Sequence, residues 1–174
     1  MELPMRATLI ARLAVALGLC ALLTPLSAWA EPHFIYLTRH AEKAEGAKDP
    51  DLTAQGQARA RSIAAILRRA GVRAIFSTHT KRTEQTAAPL ATQLGLDVQL
   101  YDAAKPALLI EKIKAGAGPT LVIGHSNTVP ELVRLLGGVA GADIGDNEYE
   151  RLYQIAIGDD GKVTTVLLNS VATP

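Results

Sequence analysis

Two histidines in this chain sit directly beside groups that could hold an anion, in Arg39-His40 and in Gly124-His125-Ser126. Between them stand Ser77-Thr78 with Lys81-Arg82 just beyond, and Tyr101-Asp102. Guanidinium forks match the geometry of an oxyanion and compensate charge that water would otherwise solvate, so a cluster of such cations with an imidazole suits a dianion with several oxygens. A phosphoryl group fits best. Competing chemistries lack their residues. The four histidines include no His-x-x-x-His pair, and the single cysteine, Cys20, falls in a segment expected to be removed, so no zinc-type arrangement remains. No phosphate-cradling Gly-x-x-x-x-Gly-Lys-Ser/Thr loop occurs, and Gly116-Ala117-Gly118-Pro119 reads as a turn. Without a Gly-x-Ser-x-Gly elbow, Ser126 is not expected to be an acyl-transfer nucleophile. Histidine is left as the strong nucleophile candidate. A lone histidine at a strand end is usually a hydrogen-bonded structural residue, and His33 and His79 are read that way. Lys81 and Lys43 are cations placed to flank a site, Lys43 being a candidate for substrate binding.

These residues need elements that bring them together. Phe34-Ile35-Tyr36-Leu37, Ala74-Ile75-Phe76-Ser77, Val98-Gln99-Leu100-Tyr101 and Thr120-Leu121-Val122-Ile123-Gly124 read as strands, the last the clearest buried one. Between them come helical periodicities. One opens at Thr53 as N-cap, with Ala60, Ile63, Ile66, Leu67 and Ala70 on one face and Gly71 as a stop; Arg59, Arg61, Arg68 and Arg69 read as its solvated face. A second carries Ala87, Leu90, Ala91 and Leu94 before Gly95, a third spans 106–115, and a fourth follows Pro130. Leu152 to Ile157 and Val163 to Leu168 form a closing pair around the turn Gly158-Asp159-Asp160-Gly161, with Tyr149 and Tyr153 assigned to packing and Glu148 and Glu150 to solvent. Strands alternating with helices predict a three-layer α/β/α fold with a mostly parallel sheet and an antiparallel C-terminal hairpin. Such sheets take ligands beyond the carboxyl ends of their strands, where Arg39, His40, Arg82, Asp102 and His125 would all gather.

Composition narrows the partners. With 18 Lys and Arg against 17 Asp and Glu, the 174-residue chain lacks the basic excess of a nucleic-acid binder held by counterion release, and 4% aromatics argues against a single-strand stacking platform. The first thirty residues read as an export signal: Arg6 and Arg12, an apolar stretch from Leu13 to Leu23 too short to span a bilayer, then Ala28-Trp29-Ala30. Cleavage is expected after Ala30, leaving a single 31–174 domain without cysteine in the periplasm or outside the cell, with no membrane contact after cleavage.

Arg39-His40 after a strand, Leu52-Thr53-x-x-Gly56, Ser77-x-x-x-x-Arg82-x-x-x-Thr86 and Gly124-His125-Ser126 after another strand together resemble the histidine phosphatase superfamily, phosphoglycerate-mutase-like proteins, over about Phe34 to Leu168. The resemblance implies that His40 is the nucleophile that becomes phosphorylated and that Arg39, Arg82 and His125 form the phosphate pocket. It also implies Asp102 as proton donor. Ala41 and Ser126 stand where glycines are usual after the two histidines, and Ser126 would add a hydroxyl donor to the substrate. Glu42-Lys43-Ala44-Glu45 occupies the loop where mutases hold a sugar acid. The reading implied is an exported, metal-independent acid phosphatase-type phosphomonoesterase that needs no cofactor and acts on a small phosphorylated substrate. The alternatives are a phosphohistidine (phosphoramidate) phosphatase or a non-catalytic module that binds a phosphate ligand.

Overall fold

A computed structural model of the chain describes residues 33–172; the export segment expected over 1–30 lies outside them. Six strands, β1 (His33–Arg39), β2 (Ala74–Ser77), β3 (Val98–Leu100), β4 (Thr120–Gly124), β5 (Arg151–Ile157) and β6 (Val163–Asn169), form one sheet in the order β3-β2-β4-β1-β5-β6. The first four run parallel; β5 is antiparallel to β1 and β6 to β5. Side chains alternate between the faces along each strand. On one face Tyr36, Ile75, Leu121, Ile123 and Leu152 pack beneath α1 (Ala54–Leu67) and α2 (Lys81–Leu94). On the other, Ile35, Leu37, Phe76, Val122, Tyr153 and Ile155 pack beneath α3 (Pro106–Ala115) and α4 (Thr128–Leu135). This is the three-layer arrangement expected from the alternation of patterns. Among the described residues no helix is long and apolar enough to cross a membrane.

One consequence of the strand order positions everything else. β1 and β4 are neighbours and parallel, in register from Ile35 opposite Thr120 to Arg39 opposite Gly124. The chain leaves β1 for α1 on one face and leaves β4 for α4 on the other. Their carboxyl ends therefore open a crevice at the point where the winding direction reverses, the place where such sheets bind ligands.

Two local expectations are corrected. The fourth helix starts at Thr128, before Pro130, because N–H groups of a helix's first turn have no partner within the helix and a proline there forfeits nothing. Arg59 belongs to the interior instead of a solvated face. It is 7% exposed and clamps Glu42 through Nε and Nη2, the shortest contact being 2.7 Å, while Nη1 donates to the Ser170 carbonyl. Arg61, Arg68 and Arg69 are exposed as expected.

Candidate active site

Residues ending β1 form the floor of the crevice. The His40 N–H donates to the Gly124 carbonyl at 2.9 Å, so the strand ladder continues to the imidazole itself. His40 is 3% exposed, and its Nδ1 lies 2.8 Å from the Ala41 carbonyl. A carbonyl can only accept, so Nδ1 carries the proton and Nε2 keeps its lone pair. Burial pushes the His40 pKa down to about 3, against the Ala41 hydrogen bond; Arg39, Arg82 and His125 add to the lowering. The ring is thus uncharged across the physiological range, with the lone pair on Nε2.

The loop after His40 is held by the other motif residues. Ala41 N donates to Thr86 Oγ1 at 3.0 Å, and that hydroxyl donates to the Arg82 carbonyl at 2.7 Å, which explains the Arg82-x-x-x-Thr86 spacing on α2: one helical turn links Arg82 to the loop after His40. Thr53 caps α1 by accepting from Gly56 N at 3.0 Å, and its own N–H donates to the Glu42 carbonyl at 2.9 Å. A Cβ on Gly56 would stand 2.2 Å from the Glu42 oxygen, so only glycine lets α1 approach the loop this closely. The Leu52-Thr53-x-x-Gly56 motif is therefore scaffolding for the loop after His40.

Arg39 is 6% exposed. Its Nη1 donates to the carbonyls of Gly145, Asp146 and Glu148 at 2.7, 2.9 and 3.0 Å, and its guanidinium carbon lies 4.3 Å from the Tyr149 ring centre. Arg82 stands at the start of α2 with Nη1 3.6 Å from Asp49. In both arginines Nε is buried and has no hydrogen-bond partner. Two buried cationic N–H groups without acceptors are costly to leave unpaired, and an oxyanion is the chemistry that would satisfy them.

His125 faces His40 edge-on, ring centres 5.5 Å apart. Burial, then Arg82 and Arg39, lower its pKa to about 4. A Cβ on Gly124 would stand 2.8 Å from Thr128 Oγ1, which itself accepts from His125 N, so this glycine lets the start of α4 close against the strand end. The strand-end rule thus gathers Arg39, His40, Arg82 and His125 at one crevice. Ser126 is half-buried in the turn before α4, and Lys43 is exposed, its backbone bridged to Leu52. Lys81 pairs with Asp51 at 3.7 Å. His79 is exposed and pairs with Glu84, and His33 starts β1 at the opposite end of the sheet.

Asp102 occupies a different place. It follows the edge strand β3, which β2 separates from β4, so the sheet spacing sets it roughly 10 Å across from the His125 strand. Its carboxylate accepts from Ala104 N at 2.9 Å and lies 3.5 Å from Lys105 Nζ.

The sequence reading misses two contributors. Tyr149, assigned to packing, has its ring centre 6.0 Å from that of His40 and stacks on Arg39. Thr78 bonds the His125 ring. Their signals are positional only: one directly follows a site strand, and the other lies in the last loop, which no motif reaches. Glu148, assigned to solvent, accepts from Gly145 N and pairs with Arg151, which hold its carboxyl below the usual range and fix the turn that grips Arg39. Among the described residues no group of three or more His, Cys, Asp or Glu side chains is placed to hold a metal ion.

Residues 35–105 match the family model of the histidine phosphatase superfamily, branch 1. The probable phosphoglycerate mutase GpmB of Enterobacter sp. (strain 638) is 36% identical over 73 residues, 38% of this chain and 34% of that protein, so the match spans about a third of that relative's length. Two solved structures share the fold. The protein histidine phosphatase SixA complexed with tungstate aligns with a TM-score of 0.64 at 21% identity, over 79% of this chain and 96% of that one. A mycobacterial glucosyl-3-phosphoglycerate phosphatase with inorganic phosphate aligns with a TM-score of 0.63 at 17% identity, over 80% and 98%. The stretch that resembles the histidine phosphatase superfamily, branch 1, runs from β1 through Arg82 on α2 and so includes Arg39 and His40.

Proposed function

We propose that the protein is an exported phosphatase that hydrolyses phosphomonoesters through a phosphohistidine at His40. The observation that carries the reading is the neutral His40 ring, tied at Nδ1 and free at Nε2, beside two buried arginine N–H groups that lack acceptors. In the first step Nε2 forms a bond to phosphorus and the bond to the leaving oxygen breaks. Arg39, Arg82 and His125 hold the phosphoryl oxygens and offset their charge, and Asp102 gives a proton to the leaving alcohol. In the second step the Asp102 carboxylate takes a proton from water as water forms the new P–O bond, the P–N bond breaks, inorganic phosphate departs, and both Asp102 and His40 are restored. Positioning and charge compensation supply the rate, with no cofactor or metal in either step. Ser126 and Lys43 extend the binding surface for a small phosphorylated substrate. Cleavage after Ala30 and release into the periplasm or medium complete the reading.

A second reading draws on the contacts of Asp102. Its carboxylate is engaged by Ala104 N and Lys105, which favours substrates whose leaving group needs little protonation, phosphoramidates such as phosphohistidine among them. Hydrolysis of a chromogenic aryl phosphate in the presence of chelator tests the main proposal. Turnover that survives chelation and vanishes in His40→Ala is expected; oxyanion binding without turnover would make the protein a binding module instead. Export is tested by the N-terminal residue of the protein from the extracytoplasmic fraction, expected to be Glu31.

A further inference from the structure

His125 has one ring nitrogen already spoken for. Nε2 lies 2.9 Å from Thr78 Oγ1, which is 3.0 Å from Thr83 Oγ1, and Thr80 Oγ1 is 2.8 Å from that same hydroxyl. Thr78 and Thr83 are 4% and 0% exposed, so water does not supply alternatives. At the far end Thr83 Oγ1 is 2.9 Å from the carbonyls of both Thr78 and Thr80. Each hydroxyl has a single proton to give, and carbonyls only accept. If Thr83 donates to a carbonyl, it accepts from Thr78 and Thr80, and Thr78 is left to accept from Nε2–H; every link is then satisfied. The reverse direction ends on an Nε2 lone pair and forgoes the bond to the carbonyl.

We propose that Thr78 is a positioning residue whose hydroxyl chain holds the His125 proton on Nε2, so that Nδ1 is the nitrogen that takes up a proton and grips an oxyanion. The inference rests on reading the crevice as a phosphoryl site. Charged and titratable groups around His125 are Arg39 and His40 from the end of β1 and Arg82 from α2, with Asp49 behind Arg82. Tyr101, whose hydroxyl donates to the neighbouring Ile123 carbonyl, stays neutral because burial pushes its pKa up to about 12. With the crevice empty, the two arginines disfavour a third cation. A bound dianion offsets them, and one solvent proton moves to Nδ1. The resulting imidazolium donates at both nitrogens, a state the chain accepts without rearrangement because Thr78 already accepts from Nε2.

Long-range proton–nitrogen correlation of the histidine rings in the full chain tests this, with tungstate as the probe because it is a dianion without a proton of its own at neutral pH. The free protein is expected to show His125 as the Nε2–H form. Thr78→Val should lose that pattern and weaken tungstate binding on the order of tenfold, the scale of one hydrogen bond to a charged group, and Thr78→Ser should restore both. Calorimetry in buffers of different ionisation enthalpy should register uptake of about one proton per tungstate bound. An Nδ1–H form in the free protein, or a Thr78→Val protein with unchanged pattern and affinity, overturns the inference. A preserved Nε2–H form that Thr78→Val abolishes supports it even in a protein without turnover, which separates its failure from failure of the hydrolase reading.

Discussion

Two arginine clusters flank the loop that follows His40, and they are built on opposite principles. Arg59 is saturated: its Nε and Nη2 clamp Glu42, its Nη1 meets Ser170, and Ser170 N in turn donates to the Glu150 carbonyl. Arg39 is as screened from water as Arg59 and Arg82 is half-buried, yet each keeps a buried Nε–H with no acceptor. A buried charge whose donors are all answered within the chain belongs to the scaffold, whereas one left wanting a partner is poised for a ligand. The first cluster fixes where Glu42 and hence Ala41 and His40 sit; the second supplies the field an incoming phosphoryl group would meet.

Substitutions can break that contrast in order of expected size. His40→Ala should abolish turnover, by roughly ten-thousandfold or more in kcat, while leaving tungstate binding measurable, because the nucleophile goes and the arginines stay. Arg82→Ala should lower kcat/KM roughly a hundredfold to a thousandfold with little change in urea stability, since the lost group has few partners in the empty protein. Arg59→Ala should show the reverse: a stability loss of about 3–5 kcal/mol in urea melts from stranding Glu42, with a much smaller loss of kcat/KM in the folded fraction. Equal losses of activity in the two arginine variants would erase the distinction.

Acid titration probes the same field without mutation. His40 and His125 are held below 6.5 in the folded protein, so between pH 6.5 and about 4 the unfolded chain binds the additional protons. Stability is therefore full above pH 6.5 and falls as pH drops, on the order of 3 kcal/mol for each ring by pH 4. Thermal melts across this range should show the loss, and saturating tungstate should reduce it by favouring the charged form of His125. The smallest and most diagnostic effect concerns Asp102→Asn. If Asp102 is the proton donor, alkyl phosphate hydrolysis falls about a hundredfold and aryl phosphate or phosphoramidate hydrolysis changes only a few-fold. Equal, small changes on all three favour the phosphoramidate reading.

Much of this was legible before any coordinates because strand ends are legible. Thr120–Gly124 and 106–115 match the observed β4 and α3, where an apolar run or a helical face is bounded by glycine or proline. Placing ligand groups after parallel strands then brings Arg39, His40, Arg82 and His125 together. What escaped depends on contacts between distant segments. Arg59 looks like any polar position on the α1 wheel until Glu42 and Ser170 are folded against it. Tyr149 looks like hairpin packing until the turn ahead of it, set by Glu148 and Arg151, presents carbonyls to Arg39. Thr78 shows only its place after β2, since its bond to the His125 ring exists only where β2 and β4 lie side by side. The sequence position of Asp102 was equally clear, but its pairing with Lys105 was not.

The central claim is that Nε2 of His40 forms a covalent bond to phosphorus. Alkaline quenching during turnover of an aryl phosphate, followed by mass spectrometry of the peptide containing His40, tests it directly. An acid-labile adduct on His40, and specifically its Nε2 isomer because the Ala41 carbonyl holds Nδ1, is the expected result. An adduct on Nδ1, on His125 or on a hydroxyl residue, or rapid turnover with none trapped, would contradict it.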